Sequence, residues 1–203
     1  MNPVSNAELS AARRREAEAS IMAATESLLA EGNAYAELSV ERIAAAAGRS
    51  RTAFYLYFRD KRELLVRLTE KVAEELYGIA ERWWAGADAR AELRPTTEAI
   101  LATYTRHADL LRAVIETSTY DESMGEFWRG LVGRFVDATE ERLRRDGFAA
   151  RTAAGMAFAL VWMTERACYQ HVTHGRRVPD EALVDALVEI WEGVLPETGA
   201  ASR

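Results

Sequence analysis

A short stretch of the chain, residues 49–61, carries side chains whose chemistry suits contact with nucleic acid. Arginine and lysine can bind phosphates or base edges, hydroxyl groups can bond phosphate oxygens, and an alanine methyl can touch a thymine methyl. We expect a helix over residues 51–58 whose inward face carries Phe54 and Phe58. The predicted contacts on and beside its outward face are Arg49, Ser50, Arg51, Thr52, Ala53, Tyr55, Tyr57 and Lys61. DNA binding is therefore the leading hypothesis.

The residues flanking this helix predict a helix-turn-helix. Ser39 is a good N-cap for a short amphipathic helix, and we also expect it on the DNA surface. Gly48 ends that helix, because glycine reaches positive φ without steric cost, and Ser50 caps the next helix. Asp60 then caps a long helix whose first turn holds Lys61, where an ammonium beside free N–H groups can hold a phosphate.

The rest of the chain shows apolar residues at helical spacing, and no segment shows the alternation of apolar and polar residues that is typical of a strand. The predicted class is therefore all-α. The predicted helices, about nine in number, cover residues 9–31, 40–47, 51–58, 61–85, 95–107, 109–118, 122–146, 150–174 and 180–195. We expect an N-terminal helix-turn-helix domain over residues 9–60, and a larger ligand-binding and dimerisation domain over residues 61–196. Residues 1–8 and 197–203 are predicted to be disordered, and the helix 61–85 to join the two domains.

The charge distribution is compatible with DNA binding although the 203-residue chain has a net charge of −6. Residues 1–67 hold 10 Lys/Arg and 9 Asp/Glu, a net charge of +1, which leaves −7 for residues 68–203. The electrostatic contribution to DNA affinity is thus predicted to be modest, with specificity resting on base contacts and dimer geometry. There is no apolar run of ~18 residues and no signal-peptide pattern, and the lone cysteine suits a reducing compartment. We therefore expect a cytoplasmic protein without a membrane partner.

Large apolar side chains recur at helical spacing in the second part of the chain. For each residue alone, packing in an ordinary core is the better explanation, because a binding site also needs convergent polar groups. Thr103, Thr164, Glu165 and Cys168 can place a few polar groups among these aromatic rings. A small-molecule site in this region is therefore a hypothesis that competes with a plain core.

Other patterns in the chain argue weakly for chemistry. Cys168, His171 and His174 follow C-x2-H-x2-H on one helix, but the outer pair drift apart and a fourth ligand is missing. We predict a buried thiol, two surface histidines, no metal and no cofactor.

The chain contains no P-loop, dinucleotide, G-x-S-x-G or H-E-x-x-H motif. Two functions remain: a ligand-responsive DNA-binding regulator, or a helical binding module or enzyme with a purely structural helix-turn-helix. The exposed set around Arg51 favours the regulator.

The stretch GRSRTAFYLYFRDK, residues 48–61, resembles the recognition segment of TetR-family transcriptional regulators. These proteins usually read G-x-S-x-x-x-[LF]-Y-x-Y/H-F-x-[SDN]-K, and the matching residues are Gly48, Ser50, Phe54, Tyr55, Tyr57, Phe58, Asp60 and Lys61. The resemblance is specific over residues 15–68 and looser over the whole chain. The later segments LVWMTERACY and LVEIWEGVLPE are similar to the subgroup typified by the ethionamide-resistance repressor.

This resemblance implies a repressor that binds double-stranded DNA, at a pseudo-palindromic operator, as a homodimer. It also implies a tunnel-like cavity for a hydrophobic small-molecule effector, and we expect an elongated apolar ligand. The predicted ligand contacts are Tyr104, Phe127, Trp128, Phe158, Val161, Trp162, Thr164, Glu165 and Trp191. Helices 150–174 and 180–195 are expected to form the dimer interface through small residues and an apolar stripe: Ala153, Ala154, Gly155, Ala157, Leu183, Leu187, Val188, Ile190 and Val194.

Overall fold

The computed structural model describes residues 6–195, and within that range it contains helices and no strand. The helices are α1 (Asn6–Ala30), α2 (Val40–Ala46), α3 (Arg51–Phe54), α4 (Lys61–Ala85), α5 (Ala89–Arg106), α6 (Ala108–Ser118), α7 (Glu122–Arg145), α8 (Ala150–Thr173) and α9 (Asp180–Val194), with a 3-10 turn at Tyr35–Glu37. The predicted all-α class is confirmed. Most of the two terminal segments predicted to be disordered lies outside the described residues, although α1 begins at Asn6, before its predicted start.

Aspartate side chains cap the starts of three long helices, α4, α5 and α7. The carboxylate of Asp60 accepts a backbone N–H group at the start of α4, as predicted, and that of Asp121 does the same at the start of α7. The predicted start of α5 at Pro95 is wrong, because Asp88 caps the helix by accepting two N–H groups and α5 begins at Ala89. Pro95 lies inside α5 on its exposed side, so the helix tolerates the missing N–H donor there.

Helix α4 connects two hydrophobic clusters. Near its start, Leu64, Leu65 and Leu68 are fully buried in a cluster that also contains core residues of α1, α2 and α3. At its end, Trp83 and Trp84 belong to a second cluster with residues of α7, α8 and α9. The first cluster continues into α6, α8 and α9. Packing is therefore continuous across residues 60 and 61, and the division into two domains at that point stays a prediction.

A buried arginine fixes the C-terminal end of α4. Arg142 of α7 donates from Nη1 to the carbonyl oxygens of Trp83, Trp84 and Gly86, at 2.6, 3.1 and 2.7 Å. Its Nε donates to Asp146 at 2.9 Å. The last carbonyls of a helix lack partners within the helix, so this guanidinium satisfies them and ties α4 to α7. The two tryptophans at the end of α4 are thereby held in place.

Candidate DNA-binding surface and ligand cavity

Local hydrogen bonds build the segment α2–turn–α3. The Oγ of Ser39 accepts the N–H of Arg42 at 3.1 Å, and the Oγ of Ser50 accepts that of Ala53 at 3.1 Å. Gly48 lies between the helices with a φ of +66°, the left-handed region that glycine adopts most easily. Both N-caps are the predicted ones. Each serine hydroxyl still has its own proton to donate to another acceptor.

The second helix of this motif is shorter than the predicted 51–58. Helix α3 ends at Phe54, and the N–H groups of Leu56 and Tyr57 then bond to carbonyls three residues earlier. This tighter turn still buries Phe54 and Phe58, whose ring centroids lie 5.5 Å apart. The sequence pattern predicted both inward rings correctly. The pattern did not predict that the backbone forms a tighter turn after Phe54. This turn lets both rings pack into one core although the α-helix is only four residues long.

The outward side of α3 and its flanks is polar, with a few apolar groups. Arg51, Thr52 and Tyr55 are exposed, and Leu56 is 64% exposed. Among the other predicted contacts, the exposed ones are Ser39 and Ser50, and the half-buried ones are Arg49, Ala53 and Tyr57. This surface therefore offers a guanidinium, several hydroxyls and a large aliphatic side chain, the groups that read phosphates, base edges and thymine methyls.

Arg51 is held by two neighbours on this surface. Its Nη1 lies 2.8 Å from Oε1 of Glu41 on α2, and its guanidinium carbon lies 5.7 Å from the centre of the Tyr55 ring. Both partners of the ion pair are more than half exposed, so the pair contributes little to stability and can exchange its carboxylate for a phosphate or a base. Glu41 therefore pre-positions Arg51 without locking it.

The ring of Tyr57 lies beside two guanidinium groups. The guanidinium carbon of Arg14 lies 5.6 Å from the ring centre and that of Arg49 lies 5.9 Å from it. The Nε of Arg49 is buried and has no hydrogen-bond partner. Arg14 of α1 was not among the predicted contacts, because only tertiary structure brings it to Tyr57. The structure thus adds Arg14 to the candidate phosphate contacts beside α3.

Lys61 lies in the first turn of α4, as predicted, but its ammonium has partners that the sequence did not indicate. Its Nζ donates to the carbonyl oxygens of Tyr35, Ala36 and Leu38, and in return the Tyr35 hydroxyl donates to the carbonyl of Lys61. Burial lowers the pKa of the Lys61 ammonium below its usual value. The ammonium is occupied by backbone carbonyls of the turn before α2, which the sequence pattern could not place next to it, so we propose a structural role for Lys61 in place of the predicted phosphate contact.

A cavity of about 110 Å³ lies among α4, α5, α6, α7, α8 and α9. Its wall is aromatic and aliphatic, with a few hydroxyls and one carboxylate. Along α4 the lining runs from Thr69 to Trp84, which at the helical rise spans about 22 Å. The cavity is therefore narrow and elongated, and α4 forms one side over most of its length.

Six of the nine predicted ligand contacts line this cavity: Tyr104, Trp128, Val161, Thr164, Glu165 and Trp191. The structure does not bring Phe127, Phe158 and Trp162 to it. Phe158 is 60% exposed because α8 directs Ala157 and Leu160 inward at that level, and the other two are half-buried against the core. The predicted contacts included Tyr104 of α5 and Trp128 of α7 but no residue of α4, and the lining residues that they lacked include Trp83, Trp84, Thr97, Ile100 and Phe135. The signal for Trp83 and Trp84, large aromatics at the end of a long helix, was present in the sequence.

Most polar groups of the cavity wall are paired within the protein. The indole N–H of Trp191 donates to Thr164 at 3.0 Å, and that of Trp84 donates to Thr139 at 3.1 Å. Glu165 and Trp128 differ, because both carboxylate oxygens of Glu165 and the indole N–H of Trp128 are buried without a hydrogen-bond partner. Thr103 and Cys168, expected as further polar groups, do not line the cavity; Thr103 instead donates to Glu75.

Burial perturbs the titration of the acidic groups around the cavity. Desolvation raises the pKa of Glu165 above its ordinary value, and the nearby Arg166 partly opposes the rise. The pKa of Tyr104 is raised by burial and by the negative charge of Glu165. A second negative charge in this site would therefore be unfavourable. The charge on Glu165 itself is unfavourable unless a cation lies beside it.

Two family models match this chain in the regions that carry these sites. The model for bacterial regulatory proteins of the tetR family matches residues 21–68, and the model for the C-terminal domain of transcriptional regulator EthR matches residues 93–194. The chain is 31% identical to the HTH-type transcriptional regulator EthR of Mycolicibacterium smegmatis, over 86% of this chain and 83% of that protein. It is 30% identical to EthR of Mycobacterium tuberculosis over 86% and 84%.

The chain belongs to the TetR family. As a TetR-family transcriptional regulator it shares its fold with solved structures of low sequence identity. A regulator from Syntrophomonas wolfei superposes with a TM-score of 0.72 at 15% identity, over 88% of this chain and 94% of that one. FadR from Bacillus subtilis, solved in complex with stearoyl-CoA, superposes with a TM-score of 0.66 at 20% identity, over 84% and 95%.

The remaining predictions for the TetR-family chain concern metals and membranes. His171 is buried, whereas the sequence analysis predicted it on the surface. Its Nε2 lies 2.8 Å from Oδ1 of Asp180, and this contact connects the end of α8 to the start of α9. His174 is exposed and Cys168 is fully buried. Within residues 6–195 no three His, Cys, Asp or Glu side chains are grouped as metal ligands would be. None of the helices described is long and apolar enough to cross a membrane.

Proposed function

We propose that this TetR-family regulator is a repressor that binds a pseudo-palindromic operator as a homodimer and changes its operator affinity when a hydrophobic small molecule occupies the cavity. The observation that carries the proposal is the course of α4. This helix begins beside the helix-turn-helix, where Leu64 and Leu65 pack into the same cluster as Phe54. It then lines the cavity as far as Trp84. A ligand that displaces α4 therefore moves the DNA-binding head.

The head has two kinds of proposed contact with DNA. Arg51 and Thr52 on α3 and Tyr55 just after it are exposed and are proposed to read a major groove, with Leu56 beside them for a thymine methyl. Arg14 and Arg49, whose guanidinium groups both lie near the Tyr57 ring, are proposed to contact phosphates. The near-neutral charge of residues 1–67 makes the sequence-independent component small, so we expect a steep preference for one operator.

The dimer interface is proposed to use the outer sides of α8 and α9. Ala153, Ala157, Leu187 and Val188, part of the predicted interface, are buried within the chain itself. Other residues remain available to a second copy: Gly155, Phe158 and Ile190 are exposed, and Phe158 and Ile190 offer large apolar side chains that a dimer interface would cover. A homodimer also spaces two recognition helices for the half-sites of a palindrome.

The effector is proposed to be hydrophobic and elongated. Aromatic and aliphatic side chains form most of the cavity wall, and the lining follows α4 for several turns. The fold neighbour FadR was solved in complex with stearoyl-CoA, a ligand with a long apolar chain, which supports the proposal of an elongated apolar effector. A cavity near 110 Å³ is somewhat smaller than one of about 150 Å³ that holds benzene, so a long ligand must push side chains apart. That displacement supplies the coupling to α4.

Selection of bound fragments from random duplex DNA, followed by affinity measurements, tests the DNA-binding part. We expect one enriched motif with two-fold symmetry. Arg51→Ala should cost ~1–3 kcal/mol on that motif and much less on unrelated DNA. Arg129→Ala, an exposed arginine on α7, is the matched control and should bind as the parent does. Failure to enrich any motif, or equal binding by both variants, would support the alternative of a helical binding protein with a structural helix-turn-helix.

A further inference from the structure

The cavity wall contains a buried carboxylate that the protein leaves without a hydrogen bond. Glu165 is 5% exposed, lines the cavity, and has no hydrogen-bond partner at either Oε1 or Oε2. Buried polar groups in folded proteins are hydrogen-bonded with few exceptions. A buried carboxylate that faces a cavity and accepts no hydrogen bond therefore points to a donor supplied from inside the cavity.

The protein pairs comparable groups around the same cavity, which makes Glu165 an exception. The indole N–H groups of Trp83, Trp84 and Trp191 donate to Ala89, Thr139 and Thr164, at 3.0 to 3.1 Å. The indole N–H of Trp128 is the fourth tryptophan donor in this wall, and it is buried without a partner. Among the buried polar atoms of this wall, the Glu165 carboxylate is thus an acceptor and the Trp128 indole N–H a donor that the protein leaves without a hydrogen bond.

Arg166 forms an ion pair with Glu165 but does not supply the missing hydrogen bond. Its Nε lies 3.5 Å from Oε2 of Glu165 without forming a hydrogen bond, and its side chain is 46% exposed. The same guanidinium lies 5.1 Å from the centre of the Tyr169 ring. Burial still raises the pKa of Glu165 despite this neighbour, so the arginine compensates the buried carboxylate only in part.

We propose that the effector is a hydrophobic amine, whose protonated nitrogen binds the Glu165 carboxylate while its apolar body lies along the aromatic wall. An ammonium donates hydrogen bonds and neutralises the carboxylate, and the surrounding indole and phenol rings favour a cation. An oxygen acceptor on the same ligand can take the free N–H of Trp128. This inference rests on the proposed function, because it takes the cavity to be the effector site, and it adds the chemical class of the ligand.

The test compares three ligands of one size that differ in a single terminal group: 2-phenylethylamine, 2-phenylethanol and propylbenzene. Binding to the full-length protein is measured by calorimetry and tryptophan fluorescence at pH 7, where an aliphatic amine is protonated. We expect the amine to bind the tightest of the three. Glu165→Gln should lower the ratio of amine affinity to propylbenzene affinity by about tenfold or more, because a charge-assisted hydrogen bond is lost.

Controls separate a local effect from a change in fold. Glu141→Gln makes the same substitution at an exposed position on α7 and should leave the affinity ratio unchanged. Circular dichroism establishes that each variant is folded. If Glu165→Gln does not fold, the ranking of the three ligands on the parent protein decides the question by itself.

The outcomes distinguish this inference from the proposed function. Binding of propylbenzene or 2-phenylethanol as tightly as the amine, or a ratio unaffected by Glu165→Gln, overturns the amine assignment and leaves a hydrophobic effector site in place. Absence of binding by all three ligands overturns the amine assignment together with the effector site. Binding of the amine with the expected dependence on Glu165, but without any effect on operator affinity, supports the ligand class and refutes only the coupling.

Discussion

Replacement of Lys61 by methionine should destabilise the protein without removing a phosphate contact. The ammonium donates to three backbone carbonyls, of Tyr35, Ala36 and Leu38, and lies 5.0 Å from the centre of the Tyr35 ring. Hydrogen bonds to a charged group contribute about 1.5–3 kcal/mol each when buried. Lys61 is half-buried, so water can replace part of this set in the variant. We therefore expect a loss of about 2 kcal/mol in the free energy of unfolding.

Two measurements on Lys61→Met separate a structural role from a DNA contact. For a domain of this size, about 2 kcal/mol corresponds to a fall in Tm of about 4–8 °C, which circular dichroism resolves easily. Operator affinity measured against salt concentration counts phosphate contacts, because each contact contributes about −0.9 to the slope of log K against log salt. We expect Lys61→Met to keep the slope of the parent, whereas Arg49→Met should reduce its magnitude by about 0.9 per protomer.

The opposite pattern would refute this reasoning. If Lys61→Met unfolds at the temperature of the parent and its salt slope loses about 0.9 per protomer, the ammonium leaves the carbonyls and binds a phosphate when DNA is present. The original expectation from the sequence would then be correct, and the contacts to the turn at Tyr35–Glu37 would describe only the DNA-free protein.

Three further predictions concern the fold and the interface. Arg142→Met should lower the free energy of unfolding, measured by chemical denaturation, by about 3–5 kcal/mol, because it removes a buried charge from its partners. Arg144→Met, at an exposed position on the same helix, should lower it by less than about 0.5 kcal/mol. Similar values for the two variants would show that the cap on α4 is unimportant. Burial raises the pKa of the Cys168 thiol to about 12, so at pH 8 it should react with a thiol reagent only as fast as the protein unfolds, and rapid labelling of native protein would disprove its burial. Phe158→Lys should convert the dimer to monomer in sedimentation analysis with little change in helix content, whereas an unchanged dimer would place the interface elsewhere.

Features set by neighbouring residues along the chain were predictable from the sequence. Ser39, Ser50 and Asp60 cap helices at the predicted positions, because a capping side chain bonds to an N–H only two or three residues away. The start of α5 was missed for a related reason: Pro95 is a strong signal for a helix start, but Asp88 makes a better cap and the helix extends back to it.

Features that depend on contacts between residues far apart in the sequence could not be predicted from the sequence. The carbonyls that hold Lys61 come from residues more than 20 positions earlier, and Arg14 meets Tyr57 only when α1 packs beside the turn after α3. Likewise, helical spacing predicted aromatic residues on α8, yet Val161 faces the cavity whereas Phe158, within one turn of it, faces outward. Which side of a helix faces a cavity is decided by its neighbours, and a single sequence does not contain that information directly.

The central claim is that occupancy of the cavity controls DNA binding through α4, and one measurement tests it most directly: operator affinity of Val161→Trp against that of the parent. Val161 lines the cavity, so a tryptophan there fills it permanently, while Thr105→Trp adds the same side chain at an exposed position on α5. We predict that Val161→Trp changes operator affinity by about 5–150-fold and abolishes ligand binding, and that Thr105→Trp does neither. A folded Val161→Trp protein that no longer binds ligand yet binds the operator as the parent does would contradict the account.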